Sequence, residues 1–199
     1  MSADDYAGFR CHKLDDLFRL WEGDLAQPLS GEEVFDEIWN LHPEEYHDVK
    51  MHGKLVKTPR WQQAFNRDYQ YTGSLNNALP VPQQLDPYWE WAKSEIDGRL
   101  NGILVNWYDG SLGHYIGRHR DKATSLIPGA PIVTISLGDS RKFRLRPWRG
   151  KGFKDFDASN GRVFILPYDT NENWTHEVPA SKRQTGRRIS ITLRAFEDE

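Results

Sequence analysis

One cysteine, Cys11, in 199 residues leaves no partner for an internal disulfide and no basis for a cysteine-built zinc site, so any metal must be held by histidine and carboxylate. Long apolar runs are missing too. No stretch approaches about 20 apolar residues, and the opening MSADDYAG is acidic and polar; the expectation is a chain with no membrane span and no secretory leader, intracellular, cytoplasmic or nuclear, and not secreted. Internal repeats, low-complexity tracts and domain-splitting linkers are absent, which at this length predicts one compact domain. A net positive charge is lacking as well, at −3 overall, but the average hides an asymmetry. Residues 1–50 hold four Lys and Arg against 13 Asp and Glu, and the remainder holds 22 against 16. The larger part is basic, which suits either a polyanion or an ordinary solvated face. What the chain has in quantity is aromatic surface, 13% with eight Trp, too much for a disordered chain.

The spacing of Leu14, Leu17, Phe18 and Trp21 predicts a short helix. Ser30-Gly-Glu-Glu33 reads as a capping box opening a second helix over about 31–41, and Tyr88 to Leu100 reads as a third, amphipathic one. From residue 101 the period changes. Ile103–Tyr108, Ile132–Leu137, Lys142–Arg146, Arg162–Leu166, Trp174–Val178 and Ile189–Phe196 are short β-rich runs between turn residues, an antiparallel pattern. In the last of them Ile189, Ile191 and Leu193 alternate with Arg188, Ser190, Thr192 and Arg194, so the polar set shares one face. If that face lines a barrel interior, two arginines point into a cavity and require anionic partners.

His119-Arg120-Asp121 puts an imidazole and a carboxylate on one face of an extended segment, and His176 lies on a later strand. Together they form a two-histidine, one-carboxylate set, the facial triad that leaves positions open on iron(II) for oxygen chemistry. His-x-Asp alone is also a common surface pair. The residues around it are more specific. Asn106-x-Tyr108, His119-x-Asp121, Ser136-Leu137-Gly138, His176 and Arg188-x-Ser190-x-Thr192-x-Arg194, in that order, resemble the AlkB family of iron(II)/2-oxoglutarate dioxygenases. The likeness runs from about residue 50 to residue 196. His52-Gly53-Lys54, Pro59-Arg60-x-Gln62, Tyr69-x-Tyr71-x-Gly73 and Ile116-Gly117-x-His119-Arg120-Asp121 point to the animal branch that acts on double-stranded DNA.

The resemblance implies an α+β protein with a mainly β core, a double-stranded β-helix or jelly roll, carrying supporting N-terminal helices and a nucleotide-recognition lid. It divides the chain into an acidic helical extension (1–50), a lid with its supporting helix (51–100) and the catalytic core (101–199). It implies His119, Asp121 and His176 as ligands of Fe(II). Arg188 and Arg194 would pair with the two carboxylates of the co-substrate 2-oxoglutarate, as bidentate charge-assisted bonds allow. Asn106, Tyr108, Ser190 and Thr192 would add neutral hydrogen bonds, with Ser190 standing where the family usually has Asn. The reaction implied is oxidation by O2, with succinate and CO2 released, of an N-methyl group whose hydroxylated form loses formaldehyde.

For the substrate, the resemblance implies nucleic acid, DNA rather than RNA and duplex by preference, met by a monomer. Tyr69 and Tyr71 would stack a flipped base, Met51 and His52 would form a wedge, and Arg60 would be a lid arginine. Arg141, Lys142, Arg144, Arg146, Arg149, Lys151 and Lys154 form a basic run, suited to phosphates or simply a solvated hairpin. One departure bears on the substrate. Repair members place an acid just beyond the metal aspartate to hold a cationic base, whereas this chain has Lys122 and Ala123. Hydroxylation of a small molecule or protein, and a non-catalytic jelly-roll binding module, stand as the alternatives.

Overall fold

The computed structural model describes residues 6–51, 53–71, 74–122 and 125–197, excluding the side chains of Met51 and Tyr71. In chain order the strands are β1 (Arg10–Lys13), β2 (Arg19–Asp24), β3 (Asp48–Met51), β4 (Lys54–Lys57), β5 (Trp61–Phe65), β6 (Tyr69–Tyr71) and β7 (Ser74–Asn76). They continue as β8 (Gly102–Asp109), β9 (Ile116–His119), β10 (Ile132–Gly138), β11 (Arg141–Pro147), β12 (Lys154–Ala158), β13 (Arg162–Leu166), β14 (Trp174–Val178) and β15 (Arg187–Arg194). The helices are α1 (Glu32–Trp39), α2 (Asp86–Glu95) and α3 (Tyr168–Asn173).

A seven-stranded sheet runs β1-β2-β13-β10-β15-β8-β5, and a four-stranded sheet runs β12-β11-β14-β9; β3-β4 and β6-β7 are two-stranded ribbons. The larger sheet is covered on both faces, which explains why its central strands β8, β10, β13 and β15 are buried almost throughout. On one face α1 and α2 bury Ile38, Trp39, Tyr88 and Ala92 against Trp107, Ile135, Ile189 and Ile191. The indole N–H of Trp107 donates to the Ile38 carbonyl at 2.9 Å, tying α1 to β8. On the other face Phe164, Leu166 and Leu104 pack with Phe143, Leu145 and Trp174 of the smaller sheet. Each large aliphatic side chain buried this way contributes about 1.5–3 kcal/mol. Two facing antiparallel sheets with this strand order make a jelly roll, and the polar face of β15 looks into the space between them.

The first fifty residues differ from the helical extension expected. Leu14 to Trp21 is a turn followed by strand, because Asp15 accepts backbone N–H bonds from Leu17 and Phe18, both at 2.8 Å, and Leu14 N–H donates to the Phe18 carbonyl at 2.9 Å. Leu17 is left 78% exposed, so the helical spacing was coincidental, and β2 instead pairs with β13 inside the larger sheet. The capping box does not form either. Pro28 places Ser30 in a 3-10 turn over Gln27–Ser30, where its hydroxyl donates to the Gln27 carbonyl at 3.4 Å and Gly31 caps α1 with no side-chain bond. Within 51–100, β5 completes the edge of the larger sheet beside β8.

Candidate metal centre and co-substrate cavity

His119 ends β9, the edge of the smaller sheet, and His176 sits directly opposite it on β14. Asp121 follows two residues after His119, and one ligand atom from each of the three lies within 4.8 Å of the others. His119 Nδ1 is 2.8 Å from the Gly117 carbonyl. A carbonyl only accepts, so Nδ1 carries the proton and Nε2 presents its lone pair to a metal. Burial, reinforced by the neighbouring His176, pushes His119 down to about 3. Burial also lowers His176, so both imidazoles are neutral near pH 7 and free to ligate.

Asp121 takes the opposite direction. Burial alone would raise it, but the Arg194 guanidinium outweighs that and holds the carboxyl well below the usual range. Arg194 donates from Nε to Oδ2 at 2.9 Å and from Nη2 to Oδ1 at 3.1 Å, and the Tyr69 hydroxyl donates to Oδ1 at 2.6 Å. Asn171 of α3 fixes the backbone, accepting from Asp121 N–H and donating to its carbonyl, both at 3.0 Å. Two neutral imidazoles beside one ionised carboxylate are the donor set for a divalent iron with open positions.

The polar face of β15 comes out as its alternation predicts, with Arg188, Ser190, Thr192 and Arg194 all buried. Arg188 is 1% exposed; its Nη2 donates to Ser136 Oγ at 2.7 Å, while Nε and Nη1 are buried with no hydrogen-bond partner among the described residues. Burial pushes it down to about 10. A guanidinium in this state requires an anion. It lines one cavity with Asn106, Tyr108, Ser190, Thr192, Arg194, His119 and His176, so the two histidines of the triad share a single space with the polar face of β15, and Asp121 lies within ligand distance of both. The residues fit both iron and a dicarboxylate.

The substrate residues are placed differently. Arg60 is 3% exposed in the wall of the cavity, donating from Nε to Asn106 Oδ1 and from Nη2 to Gln62 Oε1, both at 2.7 Å, rather than standing on an open lid. Tyr69 lies flat under Arg194, whose guanidinium is 4.7 Å from its ring centre, with its hydroxyl on Asp121. It braces the metal carboxylate. Tyr71 pairs through its backbone with Ser74, and its side chain, like those of Met51, His52 and Ala123, lies outside the described residues. Lys122 is exposed and donates to Gln70 Oε1 at 3.0 Å, turned away from the cavity.

Three of the seven cations of the basic run are paired with acids. Arg141 is buried, Lys142 pairs with Asp157, Arg144 with Asp155 and Arg146 with Glu177, and Lys154 donates to the Lys13 carbonyl. Asn171 has no place in the sequence reading: fifty residues separate it from Asp121, so no local pattern joins the two.

Residues 31–194 match the family model of the 2OG-Fe(II) oxygenase superfamily. Over 158 residues the chain is 28% identical to the protein named DNA oxidative demethylase ALKBH2 of Homo sapiens, covering 73% of this chain and 60% of that protein. Identity to the Mus musculus protein of the same name is 29%, over 73% and 65%. The Rattus norvegicus alpha-ketoglutarate-dependent dioxygenase alkB homolog 3 is 27% identical over 137 residues, 62% of this chain and 46% of that one. The chain thus spans less than two thirds of the length of these curated relatives. A solved structure titled "The structure of OsALKBH1" superposes with a TM-score of 0.58 at 15% identity, covering 88% of this chain and 97% of that one, a likeness of fold.

Proposed function

Because the chain belongs to the 2OG-Fe(II) oxygenase superfamily, and within it to the AlkB family, we propose that it is a dioxygenase that oxidatively demethylates alkylated nucleic-acid bases. The observation that carries the oxygenase reading is the pair of partnerless donors on buried Arg188, one cavity wall away from two neutral histidines and an ionised aspartate. The nucleic-acid part rests on the relatives, whose names state DNA demethylation.

In this reading His119, Asp121 and His176 hold iron(II), which with 2-oxoglutarate and O2 supplies the hydroxylation of a C–H bond, leaving succinate and CO2. The protein does the positioning. Arg188, with Ser136, Asn106 and Tyr108 nearby, would take one carboxylate of 2-oxoglutarate, and Ser190 and Thr192 line the same cavity. Arg194 keeps Asp121 charged and oriented and would meet the other carboxylate. Tyr69 donates to Oδ1 of Asp121 and helps to hold it. A hydroxylated N-methyl group then breaks its C–N bond, returning the proton to nitrogen and releasing formaldehyde. We further read the substrate as DNA, duplex in preference to RNA, with Tyr71, Met51 and His52 as residues that meet it; the protein acts as a monomer inside the cell, in cytoplasm or nucleus. The core over 101–199 carries the chemistry and 51–100 the approach to it.

The test is a panel of methylated single- and double-stranded oligonucleotides beside small molecules and peptides, read by formaldehyde and succinate. Iron-dependent formaldehyde release from oligonucleotides, lost in His176→Ala, is the expected result. Robust turnover of a small molecule or peptide with no oligonucleotide demethylation overturns the nucleic-acid reading, and no iron affinity at all overturns the enzyme.

A further inference from the structure

The outer face of the smaller sheet is rich in arginine, but its charge is unevenly cancelled. On β11 three cations meet acids: Lys142 pairs with Asp157, Arg144 Nε lies 2.6 Å from Asp155 and Arg146 Nε 2.7 Å from Glu177, and the two guanidiniums cover Phe153, at 3.9 and 4.7 Å from its ring centre. The balance changes at β9, the opposite edge. Arg118 and Arg120, the two neighbours of His119, have no carboxylate partner among the described residues. Arg118 donates from Nε to Thr175 Oγ1 at 2.8 Å and from Nη2 to the carbonyls of Pro147 and Trp148 at 2.7 and 3.2 Å. Arg120 donates to the Glu172 carbonyl and lies 4.0 Å over the Trp148 ring. Neutral carbonyls fix where these guanidiniums point while leaving their charge intact. Trp148, 46% exposed, is held between the backbone bond it donates to the Asn173 carbonyl at 2.8 Å and the guanidinium across its face. Single exposed apolar residues are ordinary; an oriented indole joined to two uncancelled, backbone-anchored cations beside a metal ligand is a recognition surface.

We propose that Arg118, Arg120 and Trp148 form the seat for the polynucleotide strand that flanks the target nucleotide, with phosphates on the two guanidiniums and an unpaired base stacked on the indole. The proposal rests on the nucleic-acid reading above and adds a location to it. Charge complementarity selects a polyanion. The aromatic ring selects a nucleic acid over an acidic peptide, since every base offers a π face and a run of carboxylates offers none. The edge position of β9 allows a strand to pass along this surface while one nucleotide enters beside His119.

The experiment titrates the full chain, loaded with iron(II) and 2-oxoglutarate without oxygen, into a labelled unmodified single-stranded oligonucleotide at 50–200 mM salt. Arg118→Gln and Arg120→Gln should each lower the slope of log affinity against log salt by about 0.7, the value for one lost phosphate contact on a single strand. The corresponding Lys variants should retain the slope, which separates charge from a structural role. Trp148→Ala should weaken binding about tenfold with the slope unchanged, and Trp148→Phe should restore most of it. If the unaltered chain binds with a salt-dependent affinity that none of these variants changes, the surface proposal is wrong and the nucleic-acid reading stands. If the unaltered chain binds neither this oligonucleotide nor its duplex at 50 mM salt, the nucleic-acid reading fails and takes this one with it; binding of the duplex alone overturns the surface proposal and leaves that reading standing. Competition by poly-glutamate equal to that by oligonucleotide, with Trp148→Ala silent, would reassign the surface to an acidic protein and overturn the proposal.

Discussion

Arg188 and Arg194 share one face of β15 and look equivalent in the chain, yet their surroundings give them different work. Arg194 is already paired, twice, with Asp121, whereas Arg188 keeps two buried donors without a partner. Loss of a charge-assisted bond costs roughly 1.5–3 kcal/mol, so Arg188→Ala should raise the KM for 2-oxoglutarate about tenfold to a hundredfold, with iron affinity little changed. Titrating co-substrate and iron separately checks this; equal losses in both would make Arg188 a scaffold residue. Tyr69 makes the converse case. Its hydroxyl bonds the metal carboxylate at 2.6 Å, so Tyr69→Phe should lower iron affinity about tenfold while the oligonucleotide affinity of the loaded protein holds, the size expected when a ligand loses its supporting hydrogen bond. A loss confined to oligonucleotide affinity would return Tyr69 to base stacking. That the His119, Asp121 and His176 side chains and the polar face of β15 come together is legible because strand alternation and His-x-Asp spacing are local. Tyr69 and Arg60 were read as lid residues because nothing in the chain reveals that both fold back into the cavity wall.

At the scale of elements, the six runs read as strands after residue 101 appear as β8, β10, β11, β13, β14 and β15, while β9 and β12 were missed. Both missed strands are edges of the smaller sheet, and edge strands need less apolar alternation than buried ones. The N-terminal hairpin was misread for a related reason. Leu14 and Trp21 are buried as a helical stripe would require, but Asp15 closes a turn between them and the strand pairing with β13 decides the outcome. Packing of these elements makes one glycine indispensable. A Cβ on Gly110 would sit 2.1 Å from the Gln184 carbonyl oxygen, a backbone atom that cannot swing aside, just where β8 meets the loop leading into β15. Gly110→Ala should therefore destabilise the fold by about 1–3 kcal/mol, whereas at Gly98 the nearest atom is 3.9 Å away and the same substitution should leave the melting temperature almost unchanged. Thermal unfolding of the two variants side by side measures the difference.

Across the whole molecule the charge is separated by function: an acidic first quarter, a partly paired basic hairpin, and a cavity lined by Arg60, Arg188 and Arg194, the last of them paired with Asp121, with Glu177 also in its wall. Iron(II) and the dianion of 2-oxoglutarate bring equal and opposite charge, so the loaded site keeps the excess of the guanidiniums. Glu177 cannot offset it, being committed to Arg146 at 2.7 Å, and Lys122 follows the metal aspartate where an acid would hold a cationic base. In a cavity of low effective dielectric a positive base is repelled at full strength, while a neutral methylated base pays no such penalty. Neutral methylated bases should accordingly be turned over faster than cationic ones in the same oligonucleotide context. Ala123→Asp should reverse part of that preference, raising kcat/KM for a cationic base about tenfold, the effect of one added ion pair of roughly 1.4 kcal/mol, with turnover of the neutral base little altered. Formaldehyde release from paired substrates differing only in the charge of the base measures both effects, and efficient turnover of cationic bases that ignores position 123 would mean the excess charge of the cavity does not reach the substrate.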